Sequence, residues 1–298
     1  LDIELTPNRG DCLSALGVAR EIAAIRGKPM RKVEVNKRKV AASTRIPLSV
    51  IAPVDAPRYV GRVIEGLDAN RATPDWMKER LRRSGLRSLG SIVDITNFVM
   101  LELGQPLHAF DLRFVQKGIV VRHARRGESL ALLDGTELQL ASETMVIANQ
   151  HRPIGLAGIM GGLESGVDDN TQAIFLESAY FRPGSIASSG RKYGLQTEAS
   201  YRFERGVDPA QQRRAVLRAS QLFRQLCSGQ PGPICEVSDR RYLPKKKPLL
   251  LRRKRLNRVL GVEVQAKKVQ RILAGLNMSP IEHSEGWKVQ PPLYRFDL

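Results

Sequence analysis

The stretch RYVGRVIEGLDANRATPDWMKERLRRSG, residues 58–85, decides the fold class, because it places a strand pattern directly before a helix pattern. Residues 58–64 are rich in β-branched and aromatic side chains, which predicts a strand. Thr73, Pro74 and Asp75 are typical of a helix start, and Gly85 is typical of a helix end. This succession of a strand and a helix indicates an α+β protein.

The same kinds of element are predicted on both sides of this stretch. Residues 11–26 repeat apolar side chains at helical spacing, with Asp11 as the predicted N-cap and Gly27 as the end. Asp134 and Gly135 separate two apolar runs and predict a type I′ hairpin. Strands are predicted at 46–51, 119–121, 130–133, 138–140, 145–148 and 173–176.

Further helices are predicted towards the C-terminus. An apolar run at 98–103 is consistent with a helix that ends at Gly104. Asp208 and Pro209 predict the start of a long helix that ends at Gly229 and closes the main domain. Helices at 253–260 and 266–276, followed by a terminal strand over 293–297, predict a small helical unit.

Composition favours a folded cytoplasmic protein with a polyanionic partner. The 298 residues are 42% hydrophobic, which is enough for two ordinary domains. No apolar stretch approaches the roughly 18 to 20 residues of a membrane span, and no secretory leader is recognisable. The net charge of +18 gives the protein a strong positive electrostatic potential, which favours binding to a polyanion. Because the chain begins with Leu1 and not with Met, we interpret it as an interior piece of a longer protein.

Two boundaries are predicted from changes in composition. The basic, polar segment 31–45, with Lys32, Lys37, Arg38 and Lys39, predicts a linker and a boundary near residue 42. Residues 241–298 hold fourteen Lys or Arg against four acidic residues, so +10 of the +18 lies there. The predicted domains are 1–42, 43–244 and 245–298.

Cysteine and histidine spacing argues against a zinc site or a disulfide framework. The three cysteines form no CxxC pair, and the four histidines show no HxxxH or HExxH spacing. Any hydrolysis is therefore expected to proceed without a metal.

Three features could carry chemistry. Residues 155–162 are the richest in glycine, but they lack the P-loop and dinucleotide motifs. They predict either a tight connection between strands or a pocket wall, with main-chain N–H groups as a cradle. Glu177 lies in an apolar strand, which predicts a carboxylate at or near a buried face. His108 follows a proline-containing turn and is a weak signal by itself.

Four motifs occur together in this chain. They are LTPNRGDCL at 5–13, DITNFVMLELGQPLHAFD at 94–111, GLAGIMGG at 155–162 and TEASYRFERGVDP at 197–209. In order and spacing they resemble the beta subunits of bacterial phenylalanyl-tRNA synthetase. The resemblance implies a mixed-sheet editing domain formed by the third and fourth modules. On either side it implies the tail of the first module and a truncated, winged-helix-like start of the fifth.

The resemblance also implies an activity. In that family the editing module hydrolyses Tyr-tRNA(Phe), and an intact enzyme of two alpha and two beta chains joins Phe to tRNA(Phe) with ATP and magnesium. Editing itself needs no cofactor. The implied partners are tRNA(Phe) and the alpha subunit, with no membrane.

Specific residues match family positions. Thr96, Asn97 and His108 match positions near the ester, and Glu177 matches the acceptor of the tyrosine hydroxyl. Asp297 matches the first member of an acidic set that binds magnesium in the intact subunit. The glycine-rich wall and the position that leaves room for the ring are matched by Ala157, Gly158, Gly161 and Ala199. His108 and Asn97 are expected to orient the attacking water or the terminal ribose, because no nucleophile motif is present.

Two other hypotheses remain open. The chain could be a binding module for tRNA or the alpha subunit with an inert pocket, or a detached enzyme acting alone on mischarged tRNA. The charge excess supports editing and binding equally. The combination of Asn97, His108, Glu177 and Ala199 favours editing, and the residues before Leu5 disfavour a detached enzyme.

Overall fold

The computed structural model describes residues 3–31, 33–35 and 40–298. Within these ranges the chain forms eight α-helices and fourteen strands. The helices are α1 (Ala15–Arg26), α2 (Asp75–Arg83), α3 (Ser91–Leu103), α4 (Pro183–Tyr193), α5 (Glu198–Arg205), α6 (Gln212–Leu226), α7 (Arg253–Leu260) and α8 (Ala266–Gly275). The strands are β1 (Leu48–Val50), β2 (Arg58–Glu65), β3 (His108–Asp111), β4 (Ile119–His123), β5 (Ser129–Ala131), β6 (Glu137–Gln139), β7 (Met145–Ala148), β8 (Pro153–Leu156), β9 (Met160–Gly161), β10 (Ile174–Tyr180), β11 (Gln230–Ser238), β12 (Leu249–Arg252), β13 (Ile281–His283) and β14 (Gly286–Val289). The predicted α+β class is confirmed.

Two sheets make up the centre of the molecule. One has the order β11-β2-β10-β3 with antiparallel neighbours. The other has the order β1-β4-β7-β8-β9 and is mixed, because β1 runs parallel to β4 while the other pairs are antiparallel. A two-stranded ribbon, β5-β6, lies beside β8.

Three strands of the four-stranded sheet, β2, β3 and β10, are covered on both faces. This double cover explains why the sequence of β10 is nearly all apolar. Phe175 and Ala179 point to a core shared with the five-stranded sheet and with α4 and α5. Ile174 and Leu176 point to a second core shared with α3 and α6. Successive strand residues face opposite sides, so a strand covered on both sides reads as a continuous apolar run. Glu177 therefore has to lie in the interior.

The C-terminal unit, 249–298, has its own small core around Trp287. Three strands in the order β12-β14-β13 pack with α7 and α8, so the unit contains a sheet in addition to the helices that the sequence predicted. Its helix α8 lies against α1, where Gly275 approaches Ala24.

Several predicted elements occur at the expected positions. α7 spans the predicted range, α8 ends one residue early, and α1 and α3 end where glycine was expected to end them. Gly27 and Gly104 adopt left-handed backbone conformations at these ends, as glycine does readily.

Five predictions about particular elements are wrong. Ser14, not Asp11, caps α1, because its Oγ accepts from the Gly17 N–H. α6 begins only at Gln212, since Asp208 caps a preceding turn by accepting from the Ala210 N–H. The β5–β6 hairpin is not type I′, because Gly135 has a positive φ and Asp134 does not.

The other two errors concern the ends of the domains. Residues 293–297 form turns and no strand, with Tyr294 donating to the Leu276 carbonyl. α6 does not close the main domain, because β11 follows it and pairs with β2. The predicted linker residues Lys32, Lys37, Arg38 and Lys39 lie outside the described residues. In the part of the chain that the structure describes, no helix is long and apolar enough to cross a membrane.

Candidate functional site

A pocket opens between the two central sheets and the start of α5. It contains about 410 Å³ of empty space, including its open mouth. Its walls come from the segment before β3, from β3, β7, β8, β9 and β10, and from α5. The lining residues are Pro106, Leu107, His108, Phe110, Ile147, Gly155, Leu156, Gly158, Ile159, Met160, Gly161, Glu177, Ala199 and Phe203. Such an apolar cavity with two polar side chains suits a small apolar ligand with one or two polar groups.

The two polar side chains lie side by side on neighbouring strands. Glu177 on β10 is paired in register with His108 on β3. Residues directly opposite each other point to the same face, with Cβ atoms roughly 4.5 to 5.5 Å apart. The strand register therefore brings a carboxylate and an imidazole to one wall of the pocket.

Glu177 is a buried carboxylate with one hydrogen-bond partner among the described residues. It is 7% exposed, and its Oε2 accepts a hydrogen bond of 2.5 Å from the hydroxyl of the fully buried Tyr59. Burial raises the pKa of Glu177 to about 7, and the Tyr59 hydrogen bond acts in the opposite direction. Oε1 accepts no hydrogen bond from the residues that the structure describes, so it is available to a ligand.

His108 is a half-buried, neutral imidazole. Burial lowers its pKa to about 4, so the ring carries no charge near neutral pH. The imidazole and the Phe110 ring pack edge to face, with centroids 4.3 Å apart. Nε2 is buried and has no hydrogen-bond partner among the described residues. A buried nitrogen without a partner is costly, so a polar group of a ligand or a water would be favoured there.

The glycine-rich segment is both a strand connection and a pocket wall. It links β8 to β9 through a turn in which the Ile159 N–H donates to Leu156, with Gly158 at φ +69°. A Cβ on Gly158 would come within 2.8 Å of Ile186, and one on Gly161 within 2.6 Å of Nε2 of His108. Glycine is therefore required at both positions.

This segment does not offer a complete cradle of main-chain donors. The N–H groups of Ala157, Ile159 and Gly162 already donate to carbonyl groups of Met145, Leu156 and Ile154. An oxyanion hole made of these three amides, one form of the predicted cradle, is excluded.

Ala199 reaches the pocket because α5 is anchored to the opposite wall. Thr197 and Ser200 form a reciprocal capping box at the start of α5. The Thr197 hydroxyl also donates to the carbonyl oxygen of Ile159 in the β8–β9 turn, at 2.9 Å. This bond holds the small side chain of Ala199 over the cavity.

Of the eight residues predicted for the editing site, the structure brings five to the pocket, and three lie elsewhere. Thr96 and Asn97 are on α3, beyond the other face of the four-stranded sheet, and the Thr96 hydroxyl donates to Val93. Ala157 packs in the core behind the wall. His108, Glu177, Gly158, Gly161 and Ala199 line the cavity.

Asp297 does not line this pocket and takes part in an ion pair. Arg295 donates to both of its carboxylate oxygens, and Asn8 donates to Oδ2. These bonds lower the pKa of Asp297 to about 2, so the carboxylate is ionised. A guanidinium in this position does not fit a metal ion on the same oxygens.

One group of side chains in the described ranges has metal-like spacing, namely Asp11, Cys12 and Glu21. Arg9 donates to all three. The guanidinium already supplies the positive charge, so this group also does not fit a metal. None of its members lines the pocket.

The C-terminal unit carries a separate basic groove at the start of α7. Its walls are Arg252, Arg253, Lys254, Arg255, Arg258, Ser284 and Glu285. No side chain of α7 is buried. Within the described ranges, only Arg253 of these cations approaches an acid, with 3.9 Å to Glu282. The groove is thus a concentrated positive surface.

Sequence reasoning missed two residues that organise the pocket. The Tyr59 hydroxyl donates a hydrogen bond to Glu177, and the Thr197 hydroxyl donates one that anchors α5 to the β8–β9 turn. Thr197 precedes Glu198 in a typical cap position, so its local role was recognisable. Nothing in the sequence pairs Tyr59 with Glu177, because that contact depends on the register of β2 and β10.

Comparison with known proteins assigns this chain to a family. A model described as the B3/4 domain matches residues 55–228, more than half of the chain. The chain belongs to the B3/4 domain family. A second model, the tRNA synthetase B5 domain, matches residues 249–298. The pocket lies within the B3/4 domain, and the basic groove within the B5 domain.

Relatives along the whole chain are phenylalanine–tRNA ligase beta subunits. Those of Methylococcus capsulatus and Nitrosococcus oceani are 50% and 48% identical over 298 residues. The chain spans 38% of the length of each. The crystal structure of an N-terminal fragment of the Pyrococcus horikoshii beta subunit matches at 16% identity with a TM-score of 0.44, covering 98% of this chain and 80% of that one. The resemblance to beta subunits is confirmed by the sequence relatives.

Proposed function

We propose that this chain is the editing part of a phenylalanyl-tRNA synthetase beta subunit and hydrolyses Tyr-tRNA(Phe). The observation that carries the proposal is the free Oε1 of a buried carboxylate in an otherwise apolar pocket. An aromatic ring suits the apolar walls, and a phenolic hydroxyl can donate to Oε1. Tyrosine combines these two groups, whereas phenylalanine lacks the hydroxyl.

The need for such a pocket follows from the limits of a single apolar site. A site built for Phe rejects an analogue that adds a hydroxyl by only about a hundredfold. A second site that hydrogen-bonds the hydroxyl reverses the preference, because a ligand without it leaves a buried polar atom unpaired. In this pocket Glu177 is the group that would hydrogen-bond the hydroxyl.

Hydrolysis then requires a positioned water. Water attacks the ester carbonyl, the bond to the ribose oxygen breaks, and tyrosine and a free ribose hydroxyl are formed. His108 is uncharged, and its unpartnered Nε2 can hold the water or a polar group beside the ester. Thr96 and Asn97 lie outside the pocket lining, so in this proposal they contact only parts of the tRNA end outside it.

The wider assignment belongs to the same proposal. The intact enzyme would contain alpha and beta subunits in the cytoplasm, bind tRNA(Phe) and join Phe to it with ATP and magnesium. The module boundaries near 42 and 244 are part of this proposal. Asp297 would contribute to a magnesium site only after release from Arg295 and together with further ligands. Editing would use neither ATP nor a metal.

A second candidate function is non-catalytic binding of tRNA. The basic groove at the start of α7 favours it, because clustered Arg and Lys side chains neutralise phosphates. The two functions are compatible, since a bound tRNA could present its charged end to the pocket.

The deciding experiment is a deacylation assay with Tyr-tRNA(Phe) and Phe-tRNA(Phe) side by side. It should be run on this chain alone and on the chain assembled with an alpha subunit. Rapid release of tyrosine with slow release of phenylalanine is expected. Binding of both tRNAs without release of either amino acid would support the binding module instead.

A further inference from the structure

We propose that Tyr59 is a positioning residue that determines which oxygen of Glu177 meets the ligand and so sets the pocket's preference for Tyr over Phe. This inference rests on the proposed function, because it adds a second residue to the recognition of the phenolic hydroxyl. Its basis is the hydrogen bond of 2.5 Å between the buried Tyr59 hydroxyl and Oε2 of Glu177.

The strand register makes Tyr59 the neighbour that can reach this carboxylate. On β2, Gly61 is the residue opposite Glu177, and Tyr59 is opposite Ala179. A Cβ on Gly61 would lie 2.0 Å from the Phe175 ring, so that ring occupies the space a side chain would need. Tyr59 therefore contacts Glu177 diagonally, over the distance that long aromatic side chains span in a sheet.

This contact makes the two carboxylate oxygens inequivalent. Oε2 accepts the hydrogen bond from the Tyr59 hydroxyl, and this bond restricts the orientation of the carboxylate. Oε1 then points to the remaining open space, which is the pocket that Glu177 lines. A ligand hydroxyl meets an acceptor that is already in place and loses little free energy to reorganisation.

Tyr59 also acts on the charge of Glu177. Burial raises the pKa of Glu177, and the hydrogen bond from Tyr59 opposes this shift by favouring the ionised form. Burial also raises the pKa of Tyr59 well above its usual value, so this hydroxyl keeps its proton and remains a donor. Loss of the Tyr59 hydroxyl should therefore leave Glu177 protonated up to a higher pH.

Few other groups could account for such an effect. His108 on β3 and Tyr59 on β2 are the titratable residues that face Glu177 from the neighbouring strands. His108 is neutral throughout the range near pH 7 because burial lowers its pKa to about 4. The lining residues that β7, β8, β9 and α5 contribute carry no charge.

The first test compares Tyr59→Phe with the matched control Tyr180→Phe. Tyr180 is also buried, ends β10, and its hydroxyl makes no hydrogen bond within the described ranges. The measurement is kcat/KM for Tyr-tRNA(Phe) and Phe-tRNA(Phe), with thermal unfolding as a check of the fold. Tyr59→Phe should lower the Tyr-to-Phe ratio about tenfold or more, since a hydrogen bond to a charged group is lost. Tyr180→Phe should keep the wild-type ratio.

The second test follows the carboxyl group directly and needs no hydrolysis. The Glu177 signal in a ¹³C NMR titration is assigned by its absence in Glu177→Gln. Its midpoint should be near pH 7 in the wild type and should move to higher pH in Tyr59→Phe, but not in Tyr180→Phe. A role in packing alone would leave this midpoint unchanged.

The outcomes separate this inference from the proposed function. If the wild type releases tyrosine selectively while Tyr59→Phe keeps both the ratio and the midpoint, the role of Tyr59 is refuted and editing stands. If the wild type releases no tyrosine, editing is refuted. In that case the NMR titration still tests Tyr59, because an unshifted Glu177 midpoint in Tyr59→Phe would refute the coupling between the two residues. In a Glu177→Gln background, Tyr59→Phe should change the ratio by less than about twofold, because the residue acts through the carboxylate. A full effect in that background would overturn the inference.

Discussion

Replacement of Gly161 by alanine should disturb His108 more than any other single methyl group added to the glycine-rich wall. The new Cβ would lie 2.4 Å from Cε1 and 2.6 Å from Nε2 of His108. Cβ atoms in proteins essentially never come this close to another heavy atom. The imidazole cannot simply move aside, because its other side packs on the Phe110 ring. Relief requires the imidazole or β9 to shift.

The expected cost follows from overpacking. Forcing a methyl group into a filled interior site typically lowers the free energy of unfolding by about 1 to 3 kcal/mol. Displacement of Nε2 should also slow tyrosine release about tenfold or more, since misplacement by about 1 Å can cost a hundredfold. Urea unfolding and single-turnover deacylation of Tyr-tRNA(Phe) measure the two effects.

Gly155→Ala is the matched control for stability. Gly155 is paired with Gly161 on the neighbouring strand, and its added Cβ would have no neighbour closer than 3.6 Å, which is ordinary contact. Its free energy of unfolding should stay within about 0.5 kcal/mol of the wild type. If Gly161→Ala proves as stable as Gly155→Ala and releases tyrosine at the wild-type rate, the placement of His108 against this wall is refuted.

Four further predictions concern the pocket and the basic groove. Ala199→Trp should abolish tyrosine release with little change in melting temperature, because the indole fills the ring site; wild-type release would place the ring elsewhere. Glu177→Ala should collapse the Tyr-to-Phe ratio of kcat/KM and lower stability by about 1 to 3 kcal/mol, since it strands the Tyr59 hydroxyl; an unchanged ratio would make Glu177 structural. Joint replacement of Arg252, Arg253, Lys254 and Arg255 by Gln should flatten the plot of log K for tRNA binding against log salt; an unchanged slope would remove phosphates as their partner. EDTA should leave tyrosine release intact once magnesium effects on tRNA folding are controlled, and loss rescued by zinc alone would refute the metal-free reaction.

Helix ends and strand positions could be read from the sequence because they depend on local chemistry. Gly27 and Gly104 end helices through a backbone conformation that glycine adopts without strain. Helix starts were harder to predict than helix ends, because several residues near each start have side chains that can cap the helix. Asp11 binds Arg9 instead, and Ser14 takes the capping role. Such competition between a cap and an ion pair is decided by three-dimensional neighbours.

Some of the residues that line the pocket could be predicted from the sequence, but their arrangement in space could not. The motifs pointed to His108 and Ala199, and an acidic residue within an apolar strand pattern pointed to Glu177; the fold brings these three residues together. The sequence does not reveal that Thr96 and Asn97 lie beyond the opposite face of the sheet, although they are near His108 along the chain. A helix and a following strand can place neighbouring residues on different sides of one layer. The pairing of β2 with β10, which joins Tyr59 to Glu177, links residues 118 positions apart.

The Tyr59 contact changes how the selectivity of this pocket should be estimated. If Glu177 had no protein partner, entry of Phe would leave its whole carboxylate unpaired. In the structure, Tyr59 continues to satisfy Oε2, so entry of Phe leaves only Oε1 unpaired. One unpaired buried acceptor costs about 1 to 3 kcal/mol, which corresponds to roughly 5- to 150-fold discrimination. A measured preference within this range would agree with one free oxygen, whereas a much larger preference would require a further contact to the phenolic hydroxyl.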